Sequence, residues 1–360
     1  MKTANDPLIG DGIRNGFADA IGNTPLIRLA HLSAATGCEI LGKAEFMNPG
    51  GSVKDRAAKW MIDDAERSGR LKPGGIVVEG TAGNTGIGLA HVCNARGYKL
   101  IITMPDNQSH EKFQILRTLG AEVLPIKAVP YSDPNHYQKA AARIAEQLPG
   151  AVWANQFDNV ANRQAHIDST GPEIWQQTQG SIDAFVCATG TGGTLGGVAR
   201  YLKQQSTKVK TCLADPQGSS LFHWIRDGQL KANGPGSITE GIGIGRVTAN
   251  LQDTPIDDAV HVNDMDTVSM VYELLRKEGL FLGSTSGVNV AAAVQVAQQL
   301  GPGHTIVTIL CDSGHKYQSR LFNRSWIEEK GFAHAAGFHL SSFANEPELH
   351  RVLNHFRNRP

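Results

Sequence analysis

No stretch of about 20 consecutive apolar residues occurs in the chain, so no membrane-spanning helix is expected. Net charge is missing as well, because 34 basic and 34 acidic side chains cancel. Without a basic field there is no electrostatic footprint for nucleic acid, and no acidic tail is present. Cysteine is scarce and dispersed. Its five positions, Cys38, Cys93, Cys187, Cys212 and Cys311, are odd in number and include no C-x-x-C spacing. Most fall inside apolar runs, which disfavours disulfides and zinc. Buried free thiols in a reducing compartment, the cytoplasm, are expected. The first twenty residues carry Asp6, Asp11 and Asp19 and no long apolar stretch, so a loosely held arm is expected there and not a signal or transit peptide. No internal repeat or low-complexity segment is found.

What is present belongs to an ordinary globular chain, with 41% apolar and 19% charged residues. A length of 360 residues exceeds one ordinary core and suggests two domains. Short apolar runs at residues 76–78, 100–103, 121–124, 152–154, 184–187, 209–214, 259–262 and 305–310 read as strands. Two further strands are expected near Leu26 and over residues 40–46, the second weakened by Gly42. Helical spacing occupies residues 55–69, 85–96, 111–119, 137–148, 192–205, 265–278, 286–300 and 316–330. Strands alternating with helices predict an α/β fold with mostly parallel sheets. In such sheets ligands bind at the carboxyl ends of strands, in the strand-to-helix loops. The final stretch carries His334, His339, His350 and His355 without a clear carboxylate partner one turn away, so a solvated helix or tail is expected and not a metal site.

Five loops bear on chemistry. Asn48-Pro49-Gly50-Gly51-Ser52-Val53-Lys54-Asp55-Arg56 is a tight turn that runs at once into a helical pattern. A lysine there sits among the unpaired N–H groups of a helix start, which favours its neutral, nucleophilic amine. It is otherwise a surface lysine after a turn. Glu79-Gly80-Thr81-Ala82-Gly83-Asn84-Thr85-Gly86 follows a strand and opens a helix. It suits either a carboxylate at the helix N-terminus or a glycine connection with a threonine cap. Thr189-Gly190-Thr191-Gly192-Gly193-Thr194 converges backbone N–H groups and hydroxyls on a phosphate. No Gly-Lys-Ser/Thr follows it, and Leu195 stands at the sixth position from Gly190, so neither a nucleotide P-loop nor a dinucleotide fingerprint is met. Glu240-Gly241-Ile242-Gly243-Ile244-Gly245 lets backbone lie flat against a planar ligand. Leu310-Cys311-Asp312-Ser313-Gly314-His315 ends the last strand with a serine that either offers a neutral hydrogen bond or caps a helix. An amine, a phosphate cup, a flat glycine shelf and a strand-end serine together match the needs of pyridoxal phosphate.

The ordered motifs carry a resemblance. Gly22-Asn23-Thr24-Pro25-Leu26, the Lys54 loop, Thr81 to Gly86, Gln156-Phe157-Asp158-Asn159, Thr170-Gly171-Pro172-Glu173-Ile174-Trp175, Gly190 to Thr194 and Gly283-Ser284-Thr285-Ser286-Gly287 follow one another in order, within a similarity that runs over about residues 22–332. The chain resembles the cysteine synthase (O-acetylserine sulfhydrylase) and cystathionine β-synthase family of fold-type II pyridoxal-phosphate enzymes.

The resemblance implies two three-layer α/β domains like those of the tryptophan synthase β-chain. Residues 21–47 and 160–332 would form the large cofactor-binding domain and 48–159 a small mobile one, flanked by the arm 1–20 and an extension 333–360. It implies that Lys54 bonds pyridoxal 5′-phosphate and later works as acid and base at Cα. Asn84 would reach the 3′-hydroxyl, Gly190, Thr191, Gly192, Gly193 and Thr194 the phosphate, and Ser313 the ring nitrogen. Thr81, Ala82, Gly83, Thr85 and Gln156 would hold the substrate α-carboxylate, and Gly241 would line the site. The implied reaction is β-replacement through an aminoacrylate, making L-cysteine from O-acetyl-L-serine, or a related activated serine, and sulfide. Desulfhydration of cysteine or cystathionine formation would use the same residues, and a catalytically silent binding relative is the reading of another class. A homodimer and docking of a serine acetyltransferase C-terminal tail are implied partners. Ala82 departs from the family's serine, and Cys311 from the proline of many relatives.

Overall fold

The structure, a computed structural model, describes residues 13–81 and 83–338. Ten strands occur among the described residues: β1 (Leu26–Arg28), β2 (Glu39–Lys43), β3 (Ile76–Gly80), β4 (Lys99–Pro105), β5 (Glu122–Ile126), β6 (Ala151–Trp153), β7 (Ala184–Ala188), β8 (Lys210–Pro216), β9 (Asp258–Val262) and β10 (Thr305–Ile309). The helices are α1 (Ala30–Thr36), α2 (Lys54–Arg67), α3 (Asn84–Arg96), α4 (His110–Thr118), α5 (Tyr137–Gln147), α6 (Ala161–Ala165), α7 (Gly171–Gln177), α8 (Gly193–Gln205), α9 (Leu221–Asp227), α10 (Asp264–Glu273), α11 (Ser284–Leu300) and α12 (Arg324–Glu329).

They build two sheets. One has six strands in the order β1-β2-β10-β7-β8-β9, parallel except for the β1–β2 pair. The other has four parallel strands in the order β5-β4-β3-β6. The α/β class expected from the alternation is therefore the observed one.

Strand residues alternate between two cores. Ala184, Val186 and Ala188 of β7 join the cluster under α1 and α11, whereas Phe185 and Cys187 join the one containing α8. A strand buried on both faces needs apolar residues at every position, which is why these runs are continuous and not alternating. A third core gathers β3, β4, α3 and the apolar face of α2 (Ala57, Ala58, Met61, Ile62, Ala65). The helix that begins at Lys54 thus belongs to the four-stranded unit.

Some expectations need correction. Gly42 stays inside β2 because any Cβ there would lie 2.6 Å from the Leu310 side chain packed over it. The single helix expected over 316–330 is a 3-10 turn, Gly314–Tyr317, followed by α12. Asn323 restarts the chain by accepting the Trp326 N–H as an N-cap. Helix α10 passes into a π turn at Leu274–Glu278. The arm is anchored at its inner end, where Phe17 stacks on His91 with ring centroids 4.6 Å apart. Residues 1–12 of the arm, Ala82, and His339, His350 and His355 lie outside the described residues.

Candidate functional site

The carboxyl ends of β3, β7 and β10 lead into a cavity of about 190 Å³. Of the residues singled out in the sequence, Lys54, Thr81, Gly83, Asn84, Thr85, Gln156, Thr191 and Gly241 line it. A smaller cavity of about 20 Å³ shares Lys54 and Thr191 with the first and adds Gly190, Gly192 and Thr194. Gly193 lies just beyond, as the first residue of α8.

Lys54 opens α2, and the loop before it is held from both sides. Asn48 donates to the Glu45 carboxylate at 2.8 Å and accepts the Gly22 N–H at 2.9 Å. The Val53 N–H donates to the Cys311 carbonyl at 2.9 Å, tying the loop to the end of β10. Gly50 lies so close to Asp55 that a Cβ would stand 2.6 Å from its carboxylate. In that place the Gly50 N–H donates to Asp55 at 2.6 Å. Burial pushes the Asp55 carboxyl up to about 7, against the pull of Lys316 and the Gly50 N–H. The Lys54 Nζ has no hydrogen-bond or ion-pair partner among the described residues, although the residue is half-buried.

Asn84 begins α3 and sits in a buried polar chain. Its Nδ2 donates to Asp312 Oδ2 at 2.7 Å, and its Oδ1 accepts from Lys316 Nζ at 3.0 Å. Lys316 also donates to the Gly51 carbonyl, and Tyr317 donates to Asp312. These partners fix the amide orientation and leave one Nδ2 hydrogen for the cavity. Nearby, Thr85 donates to Gln156 Oε1 at 2.6 Å, and Gln156 Nε2 donates to Glu79 at 3.0 Å and to the Gly80 carbonyl at 3.1 Å. Both N–H bonds of Gln156 are therefore spent on protein acceptors. Thr81 Oγ1 accepts the Gly83 N–H at 3.1 Å. At the mouth, Lys112 of α4 pairs with Glu240, which also takes Arg320 at 2.8 Å. That pairing joins the four-stranded unit to a loop of the other.

The threonine-glycine loop after β7 is packed to backbone contact. A Cβ on Gly190 would stand 2.1 Å from the Gly241 carbonyl oxygen, and Gly192 has φ +84°. Glycine is needed at both. Thr191 Oγ1 accepts from Asn162 at 3.0 Å. Thr194 Oγ1 meets His166 Nε2 at 3.2 Å, and burial pushes that imidazole down to about 3, so it stays neutral. Thr189 Oγ1 is buried with no partner among the described residues. An orphaned hydroxyl and the unsatisfied N–H groups at the start of α8, with Lys54 in the same small cavity, fit a phosphate joined to an aldehyde-bearing ring.

Ser313 does not reach either cavity. Its hydroxyl meets His315 Nδ1 at 2.5 Å and caps the 3-10 turn. The residue of that strand end lining both cavities is Cys311, whose thiol burial pushes up and to which Asn289 donates at 3.3 Å. The hydroxyl-bearing residue that lines both cavities from this side is Thr285, in the first turn of α11. It has no hydrogen-bond partner among the described residues. Its signal was the Gly283–Gly287 motif, which marked the resemblance without naming a contact. Lys112 and Tyr137 also line the larger cavity and had no local signal, whereas Phe157 and Glu240, which line it too, stood in motifs singled out in the sequence without an assigned part. Glu79, behind the wall, was visible as the first residue of its loop and had no assigned part. Ala82 is outside the described residues.

Comparison with known proteins places these features in context. A family model described as "Pyridoxal-phosphate dependent enzyme" matches residues 17–312. The chain is 58% identical over 336 residues to "Cysteine synthase 1" of Neurospora crassa, covering 92% of this chain and 89% of that protein. It is 57% identical over 336 residues to "Cysteine synthase 1" of Emericella nidulans, covering 92% and 91%. Among solved structures it is similar to an O-acetylserine dependent cystathionine beta-synthase from Helicobacter pylori, with TM-score 0.78 and 33% identity over 86% of this chain and 98% of that one.

Proposed function

This chain belongs to the pyridoxal-phosphate dependent enzyme family, and from that premise we propose that it acts as a cysteine synthase on O-acetyl-L-serine and sulfide. The observation that carries the reading is the partnerless Lys54 amine in a cavity shared by a carboxylate-binding loop and a phosphate-binding loop.

Lys54, Asn84, the loop from Gly190 to Thr194 and Thr285 would hold the cofactor. When bound, pyridoxal phosphate supplies the electron withdrawal that acidifies the substrate Cα–H and lets the β-substituent leave. Lys54 Nζ takes the Cα proton and later returns it. The Cβ–O bond of O-acetyl-L-serine breaks, acetate departs and a Cβ–S bond to sulfide forms. Thr81, Gly83, Thr85 and the first N–H groups of α3 hold the α-carboxylate, with Gln156 bracing Thr85. The Lys112–Glu240–Arg320 bridge closes the mouth and keeps water from the reacting carbon, with residues 48–159 as the moving unit. We extend the reading to a homodimer that docks a serine acetyltransferase C-terminal tail, checked by sedimentation with and without a tail peptide. Five buried free thiols support the cytoplasm as its compartment, checked by cell fractionation.

Visible absorption of the purified protein tests the reading. An aldehyde–lysine absorption band is expected, lost in Lys54→Ala, and O-acetylserine is expected to change it while O-phosphoserine and serine do not. A response to cysteine alone, with sulfide released, would move the assignment to a desulfhydrase. An unchanged spectrum in Lys54→Ala would remove Lys54 from its role.

A further inference from the structure

Glu79, the residue before last in β3, has 1% of its surface exposed, and no cation pairs with it among the described residues. Its surroundings are amides. Gln156 gives it the side-chain Nε2 at 3.0 Å and the backbone N–H at 3.4 Å. Gln156 has two side-chain N–H bonds, and the other goes to the Gly80 carbonyl at 3.1 Å. Turned over, the amide would press its oxygen against the Gly80 carbonyl, so these two acceptors allow one orientation. In that orientation Oε1 receives the Thr85 hydroxyl at 2.6 Å. A single chain of bonds thus runs from Glu79 through Gln156 to the first turn of α3, where the substrate carboxylate is to sit.

We infer that Glu79 is a positioning residue for amino-acid substrates: through Gln156 it sets Thr85 and the α3 N-terminus that receive the α-carboxylate, and it does so as a neutral carboxylic acid. This rests on the reading of the cavity as an amino-acid site. Burial pushes the Glu79 carboxyl up to about 8, and the bonds from Gln156 pull it back only in part. The ionisable groups of the elements packed on β3 leave it uncompensated. On α5, Tyr137 lies within its field as a phenol that burial also pushes up, while Lys139 donates to the Ser132 carbonyl and Arg143 to the Pro134 carbonyl. On α3, His91 stacks on Phe17, Cys93 is buried in the apolar core and Arg96 pairs with Asp63 and Glu66. On β4, Lys99 stands opposite Ile76, at the far end from Glu79, and β6 carries no ionisable side chain. Loss of the Glu79 proton would therefore place an uncompensated negative charge two hydrogen bonds from a carboxylate-binding turn.

The experiment compares holoenzyme, Glu79→Gln and Glu79→Ala. Steady-state kinetics are measured from pH 6.5 to 9.5, and each amino acid is titrated by its visible spectral change. Glu79→Ala is expected to raise KM and the titrated Kd for the amino-acid substrate about tenfold or more, with kcat within about threefold. Glu79→Gln, a permanent mimic of the neutral acid, is expected to match wild type at pH 7. The wild-type KM is expected to rise as pH passes about 8, and that rise is expected to vanish in Glu79→Gln. An unchanged KM in Glu79→Ala, or the same alkaline rise in Glu79→Gln, overturns the inference. If Glu79→Ala melts below assay temperature, the Glu79→Gln profile decides alone. Failure of wild type to turn over O-acetylserine with sulfide would sink the cysteine synthase reading instead. The Glu79 comparison would then be scored with whichever of serine, O-phosphoserine or cysteine the wild type binds, and fail if none of them binds.

Discussion

Glu45, beside β2 of the six-stranded sheet, and Glu79, near the end of β3 in the four-stranded one, are buried almost equally, at 0% and 1% exposure. Their charge states are opposite. Burial pushes both up, but around Glu45 the Arg56 guanidinium overrides it, with Nε and Nη2 each at 2.8 Å, and the carboxyl falls to about 2. Thr24 and Asn48 donate to it as well, Lys43 adds its charge, and Glu173 closes the network on Arg56 at 2.7 Å. Around Glu79 there are only amides and a phenol, and the carboxyl rises to about 8. Depth of burial sets the cost of a charge, while the neighbour decides whether the charge exists. The frame that anchors the Lys54 helix is built on paired ions. The end of the cavity at Thr85 and Gln156 is built on neutral hydrogen bonds, which under the proposed function leaves the substrate to bring the charge.

The hardest blow to this contrast falls on the frame. Arg56→Leu leaves buried Glu45 without its ion-pair partner and Glu173 with Lys43 alone, and a loss of about 3–5 kcal/mol in unfolding free energy is expected by chemical denaturation. A melting curve close to wild type would mean that the frame does not need its ions. Glu79→Gln is the opposite case and is expected to fold at neutral pH at least as well as wild type.

The pH dependence of stability separates the two glutamates next. Glu45 is held below its unfolded value, so its contribution is present above about 4.5 and is lost as pH falls toward about 2. Glu79 is held above its unfolded value, so its contribution is full below about 4.5 and is lost as pH rises toward about 8. Glutamine does not titrate. The stability of Glu79→Gln over wild type is therefore expected to grow between pH 5 and 8, by about 2–3 kcal/mol after allowance for relaxation around the ion. A pH-independent gap in melting temperature would show that Glu79 is ionised throughout, as Glu45 is.

Chemistry that depends on local turns was legible in the sequence. The loop into Lys54, the helix start at Asn84 and the glycine loop at 190–193 are each specified within a few residues, and the structure brings them to two cavities that share Lys54. The alternation of strands and helices gave the α/β class for the same reason. What depends on register or on distant partners was not legible. Arg56 meets Glu45 from 11 residues away and Glu173 from 117, and no local pattern announces either contact. The helix expected over 316–330 has the right spacing, but the chain turns at Ser313 and restarts at Asn323.

The strand-end hydroxyl gives the finest test of frame against site. The family resemblance implied that Ser313 faces the cofactor ring, while the residues alone also allowed a helix cap. In the fold, Cys311 takes the wall position, and Ser313 spends its oxygen on His315 and on a cap outside the cavity. Thr285 comes from another element, α11, and lines the same space, with its hydroxyl unpaired among the described residues. A neutral hydrogen bond contributes about 0.5–1.5 kcal/mol, which corresponds to about 3–10-fold in affinity. Thr285→Val keeps the shape and removes that donor, so cofactor affinity, read by visible absorption on reconstitution of the cofactor-free protein, is expected to fall by that factor. Ser313→Ala is expected to stay within about twofold, because its loss trims an exterior cap and leaves the cavity wall intact. The reverse ranking would return Ser313 to the ring and require the end of β10 to shift register when the cofactor binds.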